Sequence, residues 1–328
     1  MSATEKEKKE NRGTDHDTLR SSYFPKKIPR FSGRCLTDPG EPDIGLITAD
    51  CLDLHSRDIG MFDTLVTSPP YKIGVIYDGT NEREMTNDEY TEFTRSWAVA
   101  VLPHMNQASV IWINIGENSG TRGRATDVAR VFEKLGYTWQ HTVIWQYSGP
   151  GTATQTMWQP NRLRRSYEFI LVLVRDRYKL DTSADYVAVA RSEAARNRWR
   201  FKTNNRTAPA YDIWNGSNVP VPDSDIWEME YRHFNKTSCK VHPASFPLEL
   251  PLRCIAISGA EKRRLRVLDP FSGIGTTASA ALLMGCDAVG VEISDYYTKV
   301  GKRIVTIARD IRKSLVPRAG IENYLGSP

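Results

Sequence analysis

The stretch Thr64-Leu65-Val66-Thr67-Ser68-Pro69-Pro70-Tyr71 decides how the rest of the chain is interpreted. Its apolar first half predicts a buried parallel strand, and ligands of an open α/β sheet gather where such strands end. The two prolines fix consecutive φ angles and carry no N–H, so the loop offers a rigid set of acceptors. A serine hydroxyl, a proline carbonyl and an aromatic ring suit an exocyclic amine on a flat heterocycle, although a Pro-Pro pair is also an ordinary rigid turn.

Apolar runs alternate with amphipathic segments on both sides of this stretch. The capping pattern Thr86-Asn87-Asp88-Glu89 predicts a helix that continues to about Leu102. Further strands are predicted at 44–49, 109–115, 139–145 and 167–174, and a helix at 125–135. This alternation is typical of crossovers on a parallel sheet, so the sequence predicts an α/β fold with a mostly parallel, doubly wound sheet.

A glycine turn near the C-terminus predicts a nucleoside cofactor. A strand ends on Asp269 and leads through Phe271 and a turn with Gly273 and Gly275 into a helix, whose first N–H groups can bind an anionic group. A later strand ends on Glu292, about 20 residues after the turn, where a carboxylate binds ribose hydroxyls. A dinucleotide-dependent oxidoreductase is the competing interpretation, and the lack of a full G-x-G-x-x-G disfavours it.

Composition narrows the class of protein. The 328 residues carry a net charge of +5, and no apolar stretch approaches the roughly 20 residues that span a bilayer. The polar residues before Asp17 lack the apolar core of a secretory signal. Five scattered cysteines without a CxxC pair indicate reduced thiols and no zinc or other metal site. We expect a soluble protein of the bacterial or archaeal cytoplasm, with residues 1–40 as a flexible basic arm.

The positive charge is concentrated in one region. Residues 175–206 contain nine Lys and Arg against four Asp and Glu, interleaved with aromatic residues, which indicates a nucleic-acid surface. A long loop at 148–166 precedes it. The expected DNA contacts are Arg162, Arg164, Arg165, Arg196, Arg198 and Arg200. A solvated basic face and contacts to phosphates alone both remain open, whereas a DNA-binding module without catalysis would not need the glycine turn.

The chain resembles the DNA amino-methyltransferases that use S-adenosylmethionine, in the permuted arrangement with the catalytic half first. Four pieces in this order carry the resemblance: Ser68-Pro69-Pro70-Tyr71, the segment 242–247 (His-Pro-Ala-Ser-Phe-Pro), Asp269-Pro270-Phe271-Ser272-Gly273-Ile274-Gly275, and Glu292. The resemblance implies a Rossmann-like methyltransferase fold with a target-recognition region. It implies a catalytic half at 41–175, target recognition at 176–235 and a cofactor-binding half at 236–328.

The resemblance also assigns roles to residues. The catalytic set is Ser68, Pro69, Pro70 and Tyr71, and the cofactor set is Asp50, Asp269, Phe271, Gly273, Gly275, Thr276 and Glu292. Ser-Pro-Pro-Tyr is typical of cytosine-N4 enzymes and Asp-Pro-Pro-Tyr of adenine-N6 enzymes, so a cytosine-N4 methyltransferase of a restriction-modification system is expected, with adenine N6 as the alternative. RNA or a protein amide is a less favoured acceptor.

The expected partners are double-stranded DNA and a separate restriction endonuclease, with no membrane. The resemblance leaves the oligomeric state as monomer or homodimer.

Overall fold

The computed structural model describes residues 15–24, 40–72, 76–77, 80–81, 85–117, 120–148, 167–175, 180, 226–230, 245–260 and 263–315. The strands are β1 (Ile44–Thr48), β2 (Phe62–Thr67), β3 (Ile76–Tyr77), β4 (Thr80–Asn81), β5 (Met105–Ile115), β6 (Tyr137–Ser148), β7 (Tyr167–Arg175), β8 (Ile226–Glu230), β9 (Arg266–Asp269) and β10 (Asp287–Glu292). The α-helices are α1 (His16–Tyr23), α2 (Asn87–Val101), α3 (Arg124–Lys134), α4 (Glu249–Ile255), α5 (Thr276–Leu283) and α6 (Asp295–Leu315). Shorter helical turns cover Cys51–Ser56, Leu102–His104 and Ala256–Ala260.

Eight of the described strands form one sheet in the order β1-β10-β9-β2-β5-β7-β6-β8. Among them only β7 runs antiparallel to its neighbours, β5 and β6. The predicted mostly parallel α/β fold is therefore confirmed. The predicted crossover from β5 through α3 to β6 also exists, but β7 lies between its two strands. The pair β3 and β4 forms a separate two-stranded sheet.

The sheet has a topological switch point between β2 and β9. These strands pair in parallel, with Thr64 opposite Val267 and Leu65 opposite Leu268. From β2 the chain continues towards β5 on one side, whereas from β9 it continues towards β10 on the other. Ligands of open α/β sheets bind in the crevice at the carboxyl ends of strands at such a point. Residues that follow β2 and β9 are therefore placed to form a site.

Both faces of the sheet are covered. The side chains of β2 alternate, because Val66 belongs to the buried cluster with α4, α5 and α6, while Leu65 belongs to the cluster with α2 and α3. Such burial on both faces produces the continuous apolar run from which β2 was predicted. The strand is held from both sides, so the loop that follows it starts from a rigid base.

Local signals explain several helix boundaries. The predicted cap of α2 is confirmed, because Glu89 N donates to Thr86 Oγ1 at 3.3 Å and Thr86 N donates to Glu89 Oε2 at 2.9 Å. Helix α4 runs from Glu249 to Ile255 and continues as a π turn, in which Gly259 has a φ of 90°. No helix in the described part of the chain is long and apolar enough to cross a membrane.

Helix α1 and strand β8 are among the elements that were not predicted from the sequence. Helix α1 lies in a polar segment, yet its Leu19 is fully buried in the cluster that includes α6 residues. Strand β8 lies within the region predicted to recognise the DNA target and pairs in parallel with β6. Both are short, so neither gives a clear periodic pattern.

Candidate active site

Ser68, Pro69, Pro70 and Tyr71 follow β2 directly and form a loop at the switch point. Ser68 Oγ donates to Tyr71 Oη at 3.2 Å, so the hydroxyls of the first and last residue of the motif are joined. The next residue, Lys72, has a φ of 51°, and it is the sole described non-glycine residue with a positive φ. Left-handed backbone costs an ordinary residue about 1–2 kcal/mol. The loop therefore turns sharply after Tyr71 and holds a strained conformation.

Two side chains that sequence reasoning missed surround the Tyr71 hydroxyl. Tyr71 Oη donates to Glu168 Oε2 at 2.7 Å, and Asn114 Nδ2 donates to Tyr71 Oη at 2.9 Å and to Glu168 Oε2 at 2.7 Å. Asn114 belongs to β5 and is almost fully buried, whereas Glu168 is the second residue of β7. Because β7 is antiparallel to β5, its first residues lie beside the carboxyl end of β5. A polar residue at the start of a strand gives no indication in the sequence that it contacts a residue of the motif.

Arg124 is a third residue that the sequence did not single out. It is fully buried at the start of α3, and its guanidinium donates to Tyr71 O at 2.5 Å and to Met85 O at 2.8 Å. Its carbon Cζ lies 4.3 Å from the ring centroid of Tyr90, a cation–π contact. Burial lowers the pKa of Arg124, but an arginine starts high enough to stay charged. Arg124 thus anchors both ends of the segment between Tyr71 and Met85.

The glycine turn is joined to the catalytic loop through Asp269. Thr67 Oγ1 donates to Asp269 Oδ1 at 2.7 Å, and Phe271 N donates to the same oxygen at 3.1 Å. Asp269 is buried, and burial raises its pKa to about 6 against the opposing effect of hydrogen bonds from Thr277, Thr67 and Phe271. Thr67, which precedes Ser68, and Asp269, which precedes the glycine turn, are therefore held in direct contact.

Glu292, at the end of β10, folds back over the glycine turn. Its Oε2 accepts from Gly273 N and its Oε1 accepts from Ser294 N, both at 2.9 Å. A carboxylate oxygen can accept more than one hydrogen bond, so hydroxyl groups of a ligand could also donate to Glu292. The structure places Glu292, Gly273 and Gly275 together, as the spacing in the sequence predicted.

Asp50 and Phe271 make contacts of different kinds. Asp50 Oδ1 accepts from Leu52 N at 2.9 Å, so this carboxylate caps the short helix Cys51–Ser56. The ring of Phe271 packs edge-on against Trp97 with 5.4 Å between centroids and lies 6.1 Å from that of Phe93. These contacts fix the orientation of Phe271. The predicted DNA contacts Arg162, Arg164, Arg165, Arg196, Arg198 and Arg200 lie outside the described residues, as do residues 242–244 of the segment 242–247.

A sequence model of DNA methylases, the N6/N4 methyltransferase family, matches residues 62–303. The chain belongs to the DNA methylase family. The resemblance inferred from the motifs is thus confirmed at the level of the family. DNA is the substrate of this DNA methylase, and the predicted use of S-adenosylmethionine is confirmed.

Two named methyltransferases are similar to this chain over most of its length. The type II methyltransferase M.ScaI of Streptomyces caespitosus is 27% identical over 263 residues, which are 79% of this chain and 80% of that protein. The DNA adenine methyltransferase YhdJ of Escherichia coli K12 is 26% identical over 251 residues, 75% of this chain and 76% of that protein. The adenine specificity is that of the Escherichia coli enzyme.

Solved structures agree on the fold. The cytosine-N4-specific PvuII DNA methyltransferase superposes with a TM-score of 0.54 at 14% identity, covering 85% of this chain and 96% of that one. The complex of M1.HpyAVI with S-adenosylmethionine superposes with a TM-score of 0.51 at 18% identity, covering 80% and 98%. Together they support the Rossmann-like methyltransferase fold predicted for this DNA methylase.

The residues around the glycine turn fit S-adenosylmethionine. Gly273 and Gly275 have φ angles of 50° and 76°, and the first N–H groups of a helix have no partner within it. Gly275 has no side chain to cap them, so the start of α5 suits the carboxylate of the cofactor. Glu292 suits the ribose hydroxyls. In this DNA methylase, Thr276 and Phe271 would complete the cradle.

Proposed function

We propose that this DNA methylase transfers the methyl group of S-adenosylmethionine to N4 of cytosine, at a specific sequence in double-stranded DNA, as the modification enzyme of a restriction-modification system. The observation that carries this proposal is the position of Ser68. Ser68 directly follows β2 at the switch point. Its neighbour Thr67 is hydrogen-bonded to Asp269, which precedes the glycine turn. An amine held by Ser68 would therefore lie next to the methyl donor.

The chemistry required of the protein is chiefly to position and polarise the amine. S-adenosylmethionine supplies a methyl group activated by its bond to a sulfonium sulfur. The lone pair of a cytosine amine is delocalised into the ring, which makes the nitrogen a poor nucleophile. Ser68 donates its own proton to Tyr71 Oη and accepts from Asn114 Nδ2 at 3.5 Å. A hydroxyl has two lone pairs, so one remains to accept an amine proton, and the Pro69 carbonyl accepts the other. Two such bonds favour a pyramidal nitrogen with a free lone pair.

The target base must leave the helix to reach this loop. Tyr71 is the stacking surface that we propose for the flipped base. Its hydroxyl is fixed by Glu168 and Asn114, and its ring edge lies against Gly116, where an added Cβ would come within 2.7 Å of Tyr71 Cε2. The ring is thus held in one orientation.

Methylation at carbon 5 of cytosine is disfavoured. That reaction requires a thiolate, carried by a Pro-Cys pair, and no cysteine in the sequence follows a proline. Among the described cysteines, Cys51 lies closest in sequence to the motif, and burial raises the pKa of its thiol to about 12. It is therefore protonated at neutral pH and is not a nucleophile.

Adenine N6 is the second candidate acceptor, supported by the identity to an adenine methyltransferase over most of the chain. Tritiated S-adenosylmethionine and mixed-sequence DNA, followed by digestion to nucleosides, separate the two. We expect label in N4-methylcytosine. Label confined to N6-methyladenine would refute the cytosine assignment and leave the fold and the cofactor intact.

The role of Ser68 is tested by Ser68→Ala. We expect the single-turnover rate to fall far more than cofactor affinity, because the hydroxyl contacts the amine and not the cofactor. Tyr71→Ala should chiefly weaken capture of the flipped base, measured with a fluorescent base analogue. Full activity of Ser68→Ala would leave the Pro69 carbonyl to act alone and would remove the serine from the mechanism.

The cofactor site is tested by calorimetry on Glu292→Ala. Loss of charge-assisted hydrogen bonds should weaken S-adenosylmethionine binding by about 2 kcal/mol, or about 30-fold. Glu133→Ala, which removes an exposed carboxylate from α3, is the matched control and should bind normally. Unchanged affinity of Glu292→Ala would exclude Glu292 as the ribose ligand.

We also propose that the region 176–235, together with the loop around Arg162, contacts the DNA target. Replacing Arg196, Arg198 and Arg200 by Ala should reduce DNA affinity and flatten its salt dependence by up to about three phosphate contacts. A control with the same loss of charge replaces exposed residues of α3 and α6, namely Arg130, Lys302 and Lys313. Equal effects in both triple variants would mean that only net charge matters.

A further inference from the structure

Two hydrogen bonds connect Ser68 to a carboxylate that approaches the catalytic loop across the end of β5. Ser68 Oγ donates to Tyr71 Oη at 3.2 Å, and Tyr71 Oη donates to Glu168 Oε2 at 2.7 Å. Glu168 reaches this point because β7 is antiparallel and starts beside the carboxyl end of β5, with Phe169 opposite Ile115. The chain of groups thus runs from the position of the target amine to an acidic side chain.

Asn114 fixes the direction of these hydrogen bonds. Its Nδ2 lies 2.9 Å from Tyr71 Oη and 2.7 Å from Glu168 Oε2, and an amide NH₂ group can only donate. Tyr71 Oη therefore accepts from Asn114 and Ser68, and its own proton is directed to the carboxylate. The protons are aligned from Ser68 to Tyr71 to Glu168.

The groups have little freedom to separate. A Cβ added at Gly116 would lie 2.7 Å from Tyr71 Cε2 and 3.4 Å from Glu168 Cδ, so the backbone directly after β5 packs against both side chains. Asn114 is 2% exposed. The arrangement is preorganised before any substrate binds, which is the condition for efficient proton transfer through a chain of hydroxyl groups.

We infer that Glu168 receives the proton which the target amine loses during methyl transfer. This inference rests on the proposed function. The nitrogen lone pair becomes the new N–C bond, the electron pair of the broken C–S bond stays on sulfur, and the nitrogen is left with a positive charge. One proton then moves from nitrogen to Ser68 Oγ, the Ser68 proton moves to Tyr71 Oη, and the Tyr71 proton moves to Glu168 Oε2. Ser68 and Tyr71 end neutral, and Glu168 later releases the proton to water.

Glu168 acts through Tyr71 in this scheme, and Glu168→Gln separates proton acceptance from simple positioning. Glutamine has the same shape, and its amide oxygen can still accept from Tyr71 and Asn114, but it cannot take up a proton. We expect the single-turnover rate to fall by about 10²- to 10³-fold. Cofactor binding by calorimetry and base flipping by fluorescence should change by less than about threefold.

Further variants test the order of the chain. Tyr71→Phe should lower the rate in the same way, and the double variant should be no slower than the slower single variant, because one path is interrupted twice. Formate should restore part of the rate of Glu168→Ala by replacing the missing carboxylate. Glu117→Gln is the matched control, since Glu117 lies just after β5 but accepts from Ala125 N at 2.7 Å, and it should retain the normal rate.

Three results would overturn the inference. A rate for Glu168→Gln within about threefold of the unmodified enzyme would mean that Glu168 only positions Tyr71. An equal loss of rate in Glu117→Gln would mean that general charge near the loop is responsible. An unmodified enzyme that transfers no methyl to DNA would refute the proposed function and the inference with it, whereas an active enzyme with an equally active Glu168→Gln refutes the inference alone.

Discussion

Asp269→Asn should stabilise the protein at neutral pH and lose this advantage in acid. The Asp269 carboxylate is buried, and burial raises its pKa from an ordinary 3.8 to about 6. The native state therefore binds more protons than the unfolded state between these values, and stability falls as the pH rises through this window. Asparagine keeps an oxygen that can accept from Thr67 and Phe271 but never carries a charge.

The pKa difference sets the size of the effect. About two pH units correspond to about 3 kcal/mol when the carboxylate is fully charged. About 2 kcal/mol of this total develops between about pH 4.5 and about pH 7.5. With about 2.1 cal/mol/K of unfolding entropy per residue over 328 residues, the difference in Tm between variant and unmodified protein should grow by about 3 °C across that range.

Thermal unfolding of both proteins, measured across the pH range by circular dichroism, checks this prediction. Comparing the two proteins at each pH cancels the titration of every other group. Thr67→Val is a second test, because it removes a hydrogen bond that favours the charged form. In this variant the pKa of Asp269 should rise further. The free energy of unfolding should therefore keep decreasing to a higher pH than in the unmodified protein. A Tm difference between Asp269→Asn and the unmodified protein that does not vary with pH would refute the reasoning.

Three other substitutions have expected outcomes. Arg124→Met removes charged donors from the carbonyls of Tyr71 and Met85 and should cost about 3 kcal/mol in urea unfolding; a loss below about 1 kcal/mol would contradict the anchoring role. Gly275→Ala forces a side chain into a φ of 76° and should lower the free energy of unfolding and weaken the free energy of cofactor binding by about 1–2 kcal/mol each, so normal binding by calorimetry would count against the cradle. Thr86→Ala removes a helix cap and should cost about 1 kcal/mol of stability without changing cofactor binding; a change in both would link the cap to the site.

The residues at strand ends were predictable because their signal is local. An apolar run followed by a polar residue or a glycine turn marks both the strand and its end, which locates Asp50, Ser68, Asp269 and Glu292. In an α/β protein such ends meet at one edge of the sheet. Asp50 shows the limit of this reasoning, since its observed contact is the helix cap that is the commoner use of such an aspartate.

The support of the site was not predictable, since it depends on how distant strands are arranged. Glu168 lies near the start of an apolar strand, where polar residues are common, and its position beside Tyr71 requires β7 to be antiparallel and inserted between β5 and β6. No pattern in the sequence predicts that β7 runs antiparallel to its neighbours. Arg124 opens a helix where a charged residue is ordinarily solvated, and its burial goes with its hydrogen bonds to the distant carbonyls of Tyr71 and Met85.

The pairing of β1 has a consequence for synthesis of the protein on the ribosome. Within the described sheet β1 pairs with β10 alone, and Asp43 and Asp287, which are hydrogen-bonded beside this pair, are 244 residues apart. At roughly 5–20 residues per second, β1 waits about 12–50 s for its partner. The strands β2, β5, β6 and β7 can associate in the meantime, since they are neighbours in sequence and in space. The nascent chain therefore exposes an unpaired edge until β10 emerges, and aggregation during expression should depend on how fast the residues up to β10 are made.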